Sequence, residues 1–418
     1  MLKRFRYRAY ATRPEQVTAV NKTFGCARVV FNDVVRARED AHRSGGAFPK
    51  SGELSRRLIT EAKLTPEREW LSEVSAVVLQ QALADADRAY RNFFQSHSGK
   101  RKGPRMGAPR KKSKHDSRQS ARFTRNARFK IRVVNTSKAM LYLPGIGELA
   151  LAYSRPLPAE PSSVTLIREP DGNLYVSFVV DVPEVDPLPV TGRHAALDLG
   201  LTDYAAVVYT DGTREKVANP RFLRKAERKL KRAQKVLTRK EKGSSNRSKA
   251  KQKVAHAHAK VRRARLDHAH KLASTLVREN QTISVEQLNV KGLARAGAKG
   301  KRGRGNRKSV HDAAWGQFLR VLAEKADWHG RAVIPLDPAY TSQTCSVCGV
   351  PDGPKPLSVR EWECQDCHAV LDRDFNAATN LLVAAGHAET LNACGGDIRL
   401  VLARADSRET GTPHTAAA

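Results

Sequence analysis

The chain has 418 residues, enough for two or three domains with their own hydrophobic cores. Its 75 Lys and Arg against 42 Asp and Glu leave a net charge of +33. A charge this positive predicts binding to nucleic acid, because Lys and Arg side chains that neutralise phosphates release the condensed counterions of the nucleic acid into solution. No apolar run approaches the roughly 18–20 residues needed to span a bilayer, and the N-terminal stretch has no apolar segment typical of a secretory signal. We therefore expect a cytoplasmic protein and no membrane partner.

The first half of the sequence predicts a small β-structure with inserted helices. Residues 1–13 alternate basic and apolar positions, as a strand does, whereas residues from about 14 to 94 repeat apolar side chains at spacings of three and four. The basic stretch GKRKGPRMGAPRKKSKHDSRQS follows and predicts a flexible loop that contacts phosphates. Strand-like segments then extend to the Pro-rich linker VPEVDPLPVTG, namely ARFKIRVV, AMLYLPG, SSVTLIREP and LYVSFVVDV.

The second half predicts a different pattern. HAALDLG and YAAVVYTDG resemble two strands joined by a short turn, and residues 220–280 predict a long basic helical hairpin that turns at KGSSNRSK. After the strand TISVEQLNV, the segment from Lys291 to Lys308 predicts a Gly-rich basic loop, either a plain linker or a mobile lid. A helix, a strand, a cysteine-rich module and a short helix complete the order, and we expect disorder after about residue 395.

The cysteine-rich module predicts a structural zinc site. Cys345 and Cys348 form one Cys-x-x-Cys pair, and Cys364 and Cys367 form a second pair fifteen residues later. Four thiolates suit the tetrahedral geometry of Zn²⁺, whereas a redox site would need one such pair rather than two. Because thiolates fill all four positions, no position stays open for water, so the zinc is expected to be structural and not catalytic.

Three carboxylates predict a second metal site. Asp198 lies in the apolar segment HAALDLG, Glu286 lies near the end of the apolar strand TISVEQLN, and Asp374 opens a helical pattern in DRDFNAATNLL. Taken singly, they could be a strand cap, a surface residue and a helix N-cap. A charge in an apolar strand is costly unless it is paired or binds a cation. Together the three acids could bind two Mg²⁺ ions about 4 Å apart, an arrangement that hydrolyses phosphodiesters.

Two His-Ala-His pairs suggest a competing metal site. His256 with His258, and His268 with His270, match the metal pair of nickases that use a tyrosine nucleophile. That chemistry needs both histidines on one face of a strand. The surrounding pattern is helical, where residues two apart diverge by roughly 200°. We therefore expect solvated or phosphate-facing histidines.

The order of these motifs resembles a known family. LDLG, VEQLNVKGL, SQTCSVCG, CQDC and DRDFNAATNLL resemble the TnpB (OrfB) family of insertion-sequence-encoded RNA-guided nucleases, relatives of type V CRISPR effectors. FGCARVVFND and WLSEVSAVVLQQALADADRAYRNFF are similar to the recognition lobe of that family. The resemblance extends from near residue 5 to about residue 395.

The resemblance implies an α/β, multi-domain architecture. It combines a RuvC-like ribonuclease H fold, which carries an inserted zinc ribbon, with an N-terminal β-structure that holds a helical recognition lobe. The implied recognition lobe covers residues 1–190, binds guide RNA and target DNA, and has its helical insertion at about 14–94. The implied nuclease core covers residues 191–344, with the basic hairpin at about 220–280. A zinc ribbon at 345–367, the last RuvC segment at 368–394 and a disordered tail at 395–418 follow.

The resemblance also implies a Mg²⁺-dependent DNA endonuclease. Asp198, Glu286 and Asp374 are then the catalytic acids that bind Mg²⁺. Asp374 is preferred to Asp372 because the catalytic Asp of the family precedes x-Asn, here Phe375-Asn376. A non-cleaving RNA-guided repressor or a transposition accessory factor is the alternative, and a transposase that joins strands is a third possibility.

The partners implied are a guide RNA transcribed from the transposon end and double-stranded target DNA that carries a short flanking motif. Gln80, in VLQQAL, and Thr124, in RFTRN, lie where the family contacts that motif. We expect a monomer in a bacterial or archaeal cytoplasm, associated with the nucleoid.

Two positions depart from the family pattern. The family commonly has Gly after the last Cys and His before Asp-Arg-Asp, where this chain has His368 and Leu371. Neither departure removes a zinc or magnesium ligand. Both fall in the short connection between Cys367 and Asp374, so they raise the question of its local geometry.

Overall fold

The computed structural model describes residues 1–116, 118–182, 187–295, 301–356, 358–388, 390–391 and 397–398. The chain divides into an N-terminal unit, Met1–Glu184 with Val236–His256, and a C-terminal unit, Val185–Lys235 with Ala257–Ala418. Both units combine helices and sheet, which confirms the α/β multi-domain class. None of the described helices is long and apolar enough to span a membrane. The tail expected from residue 395 lies outside the described residues, apart from 397–398.

An antiparallel sheet forms the centre of the N-terminal unit. Phe5, Tyr7 and Ala9 are buried at alternate positions of its first strand, as the alternating sequence predicts. The strands are β1 (Leu2–Tyr10), β2 (Gln119–Thr124), β3 (Lys130–Asn135), β4 (Lys138–Leu143), β5 (Gly147–Ala152), β6 (Pro161–Arg168) and β7 (Leu174–Asp181). They are ordered β2-β6-β7-β1-β5-β4-β3.

Helices are inserted between β1 and β2, as the periodicity predicts. They are α1 (Pro14–Arg43), α2 (Ser51–Ser55) and α3 (Ala76–His97). Pro14 occupies the first turn of α1, where its missing N–H costs nothing, and the Gln16 side chain accepts from the backbone N–H of Arg13 at 3.2 Å. Buried apolar side chains of α1 and α3 pack against each other. The described part of the basic stretch after α3 contains no helix or strand until β2.

A mixed five-stranded sheet forms the centre of the C-terminal unit. Its strands are β8 (His194–Asp198), β9 (Asp203–Tyr209), β10 (Arg214–Ala218), β11 (Thr282–Glu286) and β12 (Ala332–Leu336). They are ordered β10-β9-β8-β11-β12. β9 runs antiparallel to β8 and β10, whereas β8, β11 and β12 run parallel to one another.

The helices of this half and the small strands complete the chain. The helices are α4 (Phe222–Thr238), α5 (Ser245–Glu279), α6 (Val290–Arg295), α7 (Lys301–Ala313), α8 (Trp315–Trp328) and α9 (Arg373–Ala384). Two strand pairs accompany them, β13 (Glu361–Glu363) with β14 (Val370–Asp372), and β15 (Thr390–Leu391) with β16 (Asp397–Ile398). The predicted basic hairpin corresponds to α4 and α5. The four histidines of the His-Ala-His pairs lie on α5, so the helical interpretation of those pairs is confirmed.

Helices cover both faces of the five-stranded sheet, which explains why its central strands are almost wholly apolar. Ala195 and Leu197 point into a core with residues of α5, α7 and α8, while Ala196, between them, packs against Leu381 and Leu382 of α9. The alternation of β8 therefore directs Asp198 to the same face as Ala196. This face is the one that α9 covers.

The prediction of a loop from Lys291 to Lys308 is wrong, because the described part of this segment is mostly helical. Asn289 starts α6 by accepting from the Gly292 N–H at 2.9 Å. Val310 and Ala313, at the end of α7, are buried in the core of the unit. Apolar anchoring at this end and a high content of Lys and Arg outweigh the helix-breaking tendency of the glycines.

Asp312 at the end of α7 joins three helices. Its carboxylate accepts from the N–H groups of Leu223 and Arg224, at 2.8 and 3.0 Å, and pairs with Arg265 at 2.8 Å. Asp312 is 8% exposed, so its removal takes a partner from the half-buried Arg265 guanidinium and from the start of α4. We expect Asp312→Ala to lower the free energy of unfolding of the C-terminal unit by about 3 kcal/mol.

Chemical denaturation of Asp312→Ala and of Asp267→Ala measures this effect. Asp267 pairs with Lys271 at 2.8 Å on the exposed face of α5, and surface pairs of this kind contribute at most about 0.5 kcal/mol. Equal losses in the two variants would contradict a structural role for the buried carboxylate.

Candidate metal centre and acidic site

The four cysteines of the two pairs converge on one point. Their sulfur atoms all lie within 4.8 Å of one another, with 3.7 Å between Cys345 Sγ and Cys367 Sγ and 3.7 Å between Cys348 Sγ and Cys364 Sγ. A tetrahedron with Zn–S bonds of about 2.3 Å has edges of about 3.8 Å. The spacing of the sulfur atoms therefore fits a four-thiolate zinc site.

Both Cys-x-x-Cys turns have the same backbone geometry. The N–H of Gly349 donates to the Cys345 carbonyl at 2.9 Å, and the N–H of His368 donates to the Cys364 carbonyl at 3.0 Å. Both residues adopt left-handed φ values, +76° and +57°. Glycine adopts this conformation without strain, and histidine does so more readily than most residues. His368 therefore makes the same turn as Gly349, and its Nδ1 lies 3.0 Å from Glu363 Oε1.

Leu371 has a packing role. It pairs across β13 and β14 with Trp362, and both side chains are buried against the cysteines. An apolar residue at this position adds to the small core of the ribbon. The two departures from the family pattern are therefore compatible with a closed ribbon and with the start of α9 directly after β14.

Asp198 and Glu286 meet at one edge of the sheet. β8 and β11 are parallel neighbours, with Leu197 beside Val285, so the two acids that follow lie side by side at the carboxyl ends of the strands. Asp198 is half-buried and Glu286 is 9% exposed, and the two carboxyl groups interact electrostatically. Asp374, in the first turn of α9, lies close enough to act electrostatically on Asp198. The structure thus brings the three acids together.

Burial and mutual repulsion change the acidity of the pair. Burial raises the pKa of Asp198 well above its usual value, and the charges of Glu286 and Asp374 raise it further. Burial also raises the pKa of Glu286 to about 7. Two neighbouring carboxyl groups, one half-buried and one buried, cannot both ionise without a compensating cation, so without one they share a proton near neutral pH. A divalent cation would remove this conflict.

Asp372 and Asp374 have different environments. Asp372 is the N-cap of α9, since its carboxylate accepts from the N–H groups of Asp374 and Phe375 at 3.0 Å each, and it pairs with Lys216 at 2.5 Å. Asp374 instead pairs with Arg360 at 3.5 Å. The helix N-cap role considered for Asp374 therefore belongs to Asp372, and Asp374 remains available beside Asp198.

The three carboxylates lie further apart than the four sulfur atoms of the cysteine site. Among the described residues, only the four cysteines form a group of three or more ligand atoms within 4.8 Å of one another. The three carboxylates are spread more widely. A pair of metal ions about 4 Å apart needs such a spread, because different carboxylates then reach different ions.

Sequence reasoning missed the polar residues around the acids. Arg360 lies between the two cysteine pairs, pairs with Asp374, and donates to Thr202 Oγ1 at 2.8 Å. Asn376 and Asn380 lie on α9 and bond to the loop around the first cysteine pair. The i, i+4 spacing of the two asparagines was the available signal, since it places both side chains on one face of a helix.

Gln80 and Thr124 lie in the N-terminal unit. Gln80 is exposed on α3, and Thr124 is half-buried at the end of β2. α3 packs against β2, and an ion pair between Asp85 and Arg122 joins the two elements. The structure therefore places both residues on neighbouring elements, and their role in DNA recognition stays a prediction.

Three family models match the chain. Residues 177–297 match a model of the OrfB family of IS605 described as "Probable transposase", and residues 315–381, which include the ribbon and most of α9, match the "Cas12f1-like, TNB domain". Residues 1–47 match the "Helix-turn-helix domain" of the OrfB family. In this structure those 47 residues contain β1 and α1.

Solved structures share the fold. A Cas12f1–sgRNA–target DNA complex aligns with a TM-score of 0.51 at 13% identity, covering 89% of this chain and 83% of the other. The mini-RNA-guided endonuclease CRISPR-Cas_phi3 aligns with a TM-score of 0.52 at 10% identity, covering 93% and 92%. At such low identities the likeness shows the fold alone.

Sequence relatives show the family. The chain is 40% identical over 398 residues to a "Putative RNA-guided DNA endonuclease" of Streptomyces pristinaespiralis, covering 94% of this chain and 91% of the relative. It is 30% identical over 404 residues to the "Putative RNA-guided DNA endonuclease InsQ" of Escherichia coli K12, covering 94% and 95%. The chain therefore belongs to the TnpB (OrfB) family of insertion-sequence proteins, relatives of Cas12f.

Proposed function

We propose that the chain is an RNA-guided, Mg²⁺-dependent DNA endonuclease of an insertion sequence. The observation that carries this proposal is the pairing of the half-buried Asp198 with the buried Glu286 at the carboxyl ends of two parallel strands, with Asp374 beside them. Such a site is costly for a protein that only binds nucleic acid, because it concentrates negative charge where little water reaches it. The names of the sequence relatives support the same activity.

The acids would hold magnesium in a RuvC-like core. Mg²⁺ prefers oxygen ligands and, when bound, supplies activation of the attacking water and charge stabilisation at the leaving oxygen. Asp198 and Glu286 are held by strand ends and Asp374 by a helix packed on the same sheet, so the protein fixes the three carboxylates before DNA arrives. Their shared proton must leave when a cation binds.

The cysteine cluster would hold zinc with a structural role. All four ligand positions are thiolates, three of which are buried, so the site offers no open position for a substrate. Burial raises the pKa of the Cys345 thiol, and the nearby backbone N–H groups of Cys348 and Val347 oppose this rise. At Cys364 burial also opposes ionisation, but the backbone N–H groups of Cys367 and Asp366 help to lower the pKa of that thiol, which favours the thiolate form that zinc requires.

The partners proposed are a guide RNA from the transposon end and double-stranded DNA with a short flanking motif. The charge of +33 supports phosphate contacts, and α4 and α5 present many Lys and Arg side chains for them. Gln80 and Thr124 are our candidates for contacts to the motif. The protein would act on chromosomal DNA as a monomer. It would then be located in the cytoplasm, associated with the nucleoid.

The shared proton predicts a pH-dependent stability before Mg²⁺ is added. The pKa of Glu286 is 4.5 in its ordinary range and about 7 in the folded state. Between these two values the folded protein still holds a proton on the pair, whereas the unfolded chain has already released it. The contribution of this pair to stability is therefore highest below about pH 4.5 and is lost as the pH rises through about 7. We expect the melting temperature of the zinc-loaded protein to fall by about 4 °C between about pH 6 and about pH 8.

Thermal unfolding with and without Mg²⁺ measures this dependence. Mg²⁺ should remove most of the loss at the higher pH, and Asp198→Asn should flatten the profile because it removes one of the two acids. Asp211→Asn, at an exposed turn, should leave the profile unchanged. A parent profile that rises with pH over this range would contradict a raised pKa for the pair.

The function is tested with the RNA that the protein selects. The full chain is purified with its bound RNA, the RNA is sequenced, and a plasmid that carries the matching target and randomised flanks is added with Mg²⁺. We expect double-strand cleavage at targets with one flanking motif. Binding without cleavage would favour the non-cleaving repressor, and joined strands would favour a transposase.

A further inference from the structure

Helix α9 has a polar face that is directed at the first cysteine pair. Its apolar side chains, Ala378, Leu381 and Leu382, pack on the sheet beside Ala196. Asn376 is 2% exposed and lies on a different side of the helix, with Asn380 one turn further on. A buried asparagine is retained in a core only where its amide is hydrogen-bonded, so the partners of this face define what it holds.

The two asparagines bind the loop Thr341–Ser346 through five hydrogen bonds. Asn376 Oδ1 accepts from the Ser346 N–H at 2.8 Å. Asn376 Nδ2 donates to the carbonyls of Thr341 and Thr344 at 3.3 and 2.8 Å, and Asn380 Nδ2 donates to the same two carbonyls at 2.7 Å each. Because Oδ1 faces an N–H and Nδ2 faces carbonyls, the orientation of the Asn376 amide is determined. We call these two residues and their bonds the asparagine clamp.

The clamp lies between the two candidate metal sites. On one side, its contacts at Thr344 and Ser346 flank Cys345, a cysteine of the zinc cluster that is fully buried. On the other side, Asn376 is two residues after Asp374 on the same helix. A shift of the cysteine loop would therefore break the clamp or move the first turn of α9, since the rest of the helix is packed on the sheet.

We infer that Asn376 and Asn380 are positioning residues that couple the zinc cluster to the acidic site. For the acidic site, the inference rests on the proposed function. It adds that bound zinc, through the clamp, helps to position Asp374. The coupling is an equilibrium property and must therefore be reciprocal. Zinc occupancy strengthens Mg²⁺ binding, and bound Mg²⁺ slows the loss of zinc.

Zinc release to a chromogenic chelator tests this reciprocity without DNA cleavage. The full chain with its bound RNA is used, with and without Mg²⁺. We expect Mg²⁺ to slow zinc release from the parent about fivefold or more. Asn376→Ala/Asn380→Ala should release zinc faster and should show no effect of Mg²⁺. Asn380→Ala, which keeps the three bonds of Asn376, should be intermediate and serves if the double variant folds poorly.

Two matched variants locate the effect. Thr379→Ala changes the residue that precedes Asn380. Within the part of the chain that the structure describes, the Thr379 hydroxyl donates only to the Phe375 carbonyl of its own helix, at 2.9 Å, so this variant should behave like the parent. Asp198→Asn should release zinc at the parent rate but lose the effect of Mg²⁺. A second readout is the Mg²⁺ dependence of cleavage, where the double variant should need about tenfold more Mg²⁺ and regain the parental maximal rate when saturated.

The outcomes separate this inference from the proposed function. Zinc release that Mg²⁺ slows in the parent but not in the double variant supports the clamp, even if no DNA is cut. If the parent cleaves DNA but Mg²⁺ affects zinc release equally in the parent and the double variant, the clamp alone is overturned. Absence of both cleavage and any effect of Mg²⁺ in the parent overturns both. A cleavage rate of the double variant that saturating Mg²⁺ does not restore indicates a merely structural role and overturns the coupling.

Discussion

Asp198→Asn is expected to abolish DNA cleavage while leaving the binding of RNA and target DNA intact. The amide keeps the size of the side chain, but it removes a negative charge from the centre of the acidic site. Since the three acids act as a unit, loss of one should cost nearly the whole rate, by at least about a thousandfold. Single-turnover cleavage of a labelled target duplex measures the rate, and a gel-shift titration measures binding.

Neighbouring acids serve as controls for this effect. Asp211→Asn, at the exposed turn after β9, should cleave at the parent rate. Asp374→Asn should behave like Asp198→Asn, whereas Asp372→Asn should retain most activity, because asparagine also caps helices well. Cleavage by Asp198→Asn at a rate within about tenfold of the parent would refute the assignment of Asp198 as a metal-binding catalytic acid.

Cys348→Ser should empty the zinc site and unfold the ribbon. Cys348 is 1% exposed, and beyond the cysteines the ribbon buries only Trp362 and Leu371 among the described residues of its core. So small a core does not hold a fold without its metal. We expect zinc, measured by atomic emission on the purified protein, to fall from about one ion per chain to near zero, and cleavage to fall by more than about tenfold.

Cys26→Ser is the matched control. Cys26 is also buried, at 3% exposed, but it lies in α1 of the N-terminal unit and not in the cluster. This variant should keep its zinc and its cleavage rate. Full zinc content in Cys348→Ser, or equal zinc loss in the two variants, would contradict a four-thiolate site.

Local patterns predicted most elements of the fold because they depend on nearby residues. The alternation of β1, the three-and-four spacing of α1 and α3, and the continuous apolar runs of β8 and β11 all correspond to observed elements. The segment after Glu286 was predicted wrongly as a loop. Its glycines suggested a loop, but Val310 and Ala313 anchor α7 through contacts with distant parts of the chain.

The candidate site was only partly predictable, for the same physical reason. The four ligands of the cysteine site are close to one another in sequence, so their spacing alone indicated a shared metal. They are Cys345, Cys348, Cys364 and Cys367. Asp198 and Glu286 are brought together only by the parallel pairing of β8 with β11, which local sequence does not encode. The residue types suggested that Asp374 could join these two acids, and the resemblance to a family implied the three as a catalytic set, but neither established that they lie together.

The sequence by itself determined the charge, the class of elements, the four-thiolate set and the family. Only the tertiary structure decided that Asp372 caps α9 while Asp374 lies beside Asp198, and that Asn376 and Asn380 hold the loop of Cys345. Capping and clamping depend on where a helix begins and on which loop packs against its face. Those are properties of the folded chain, because groups that are far apart in sequence meet only when the sheet and its helices have come together.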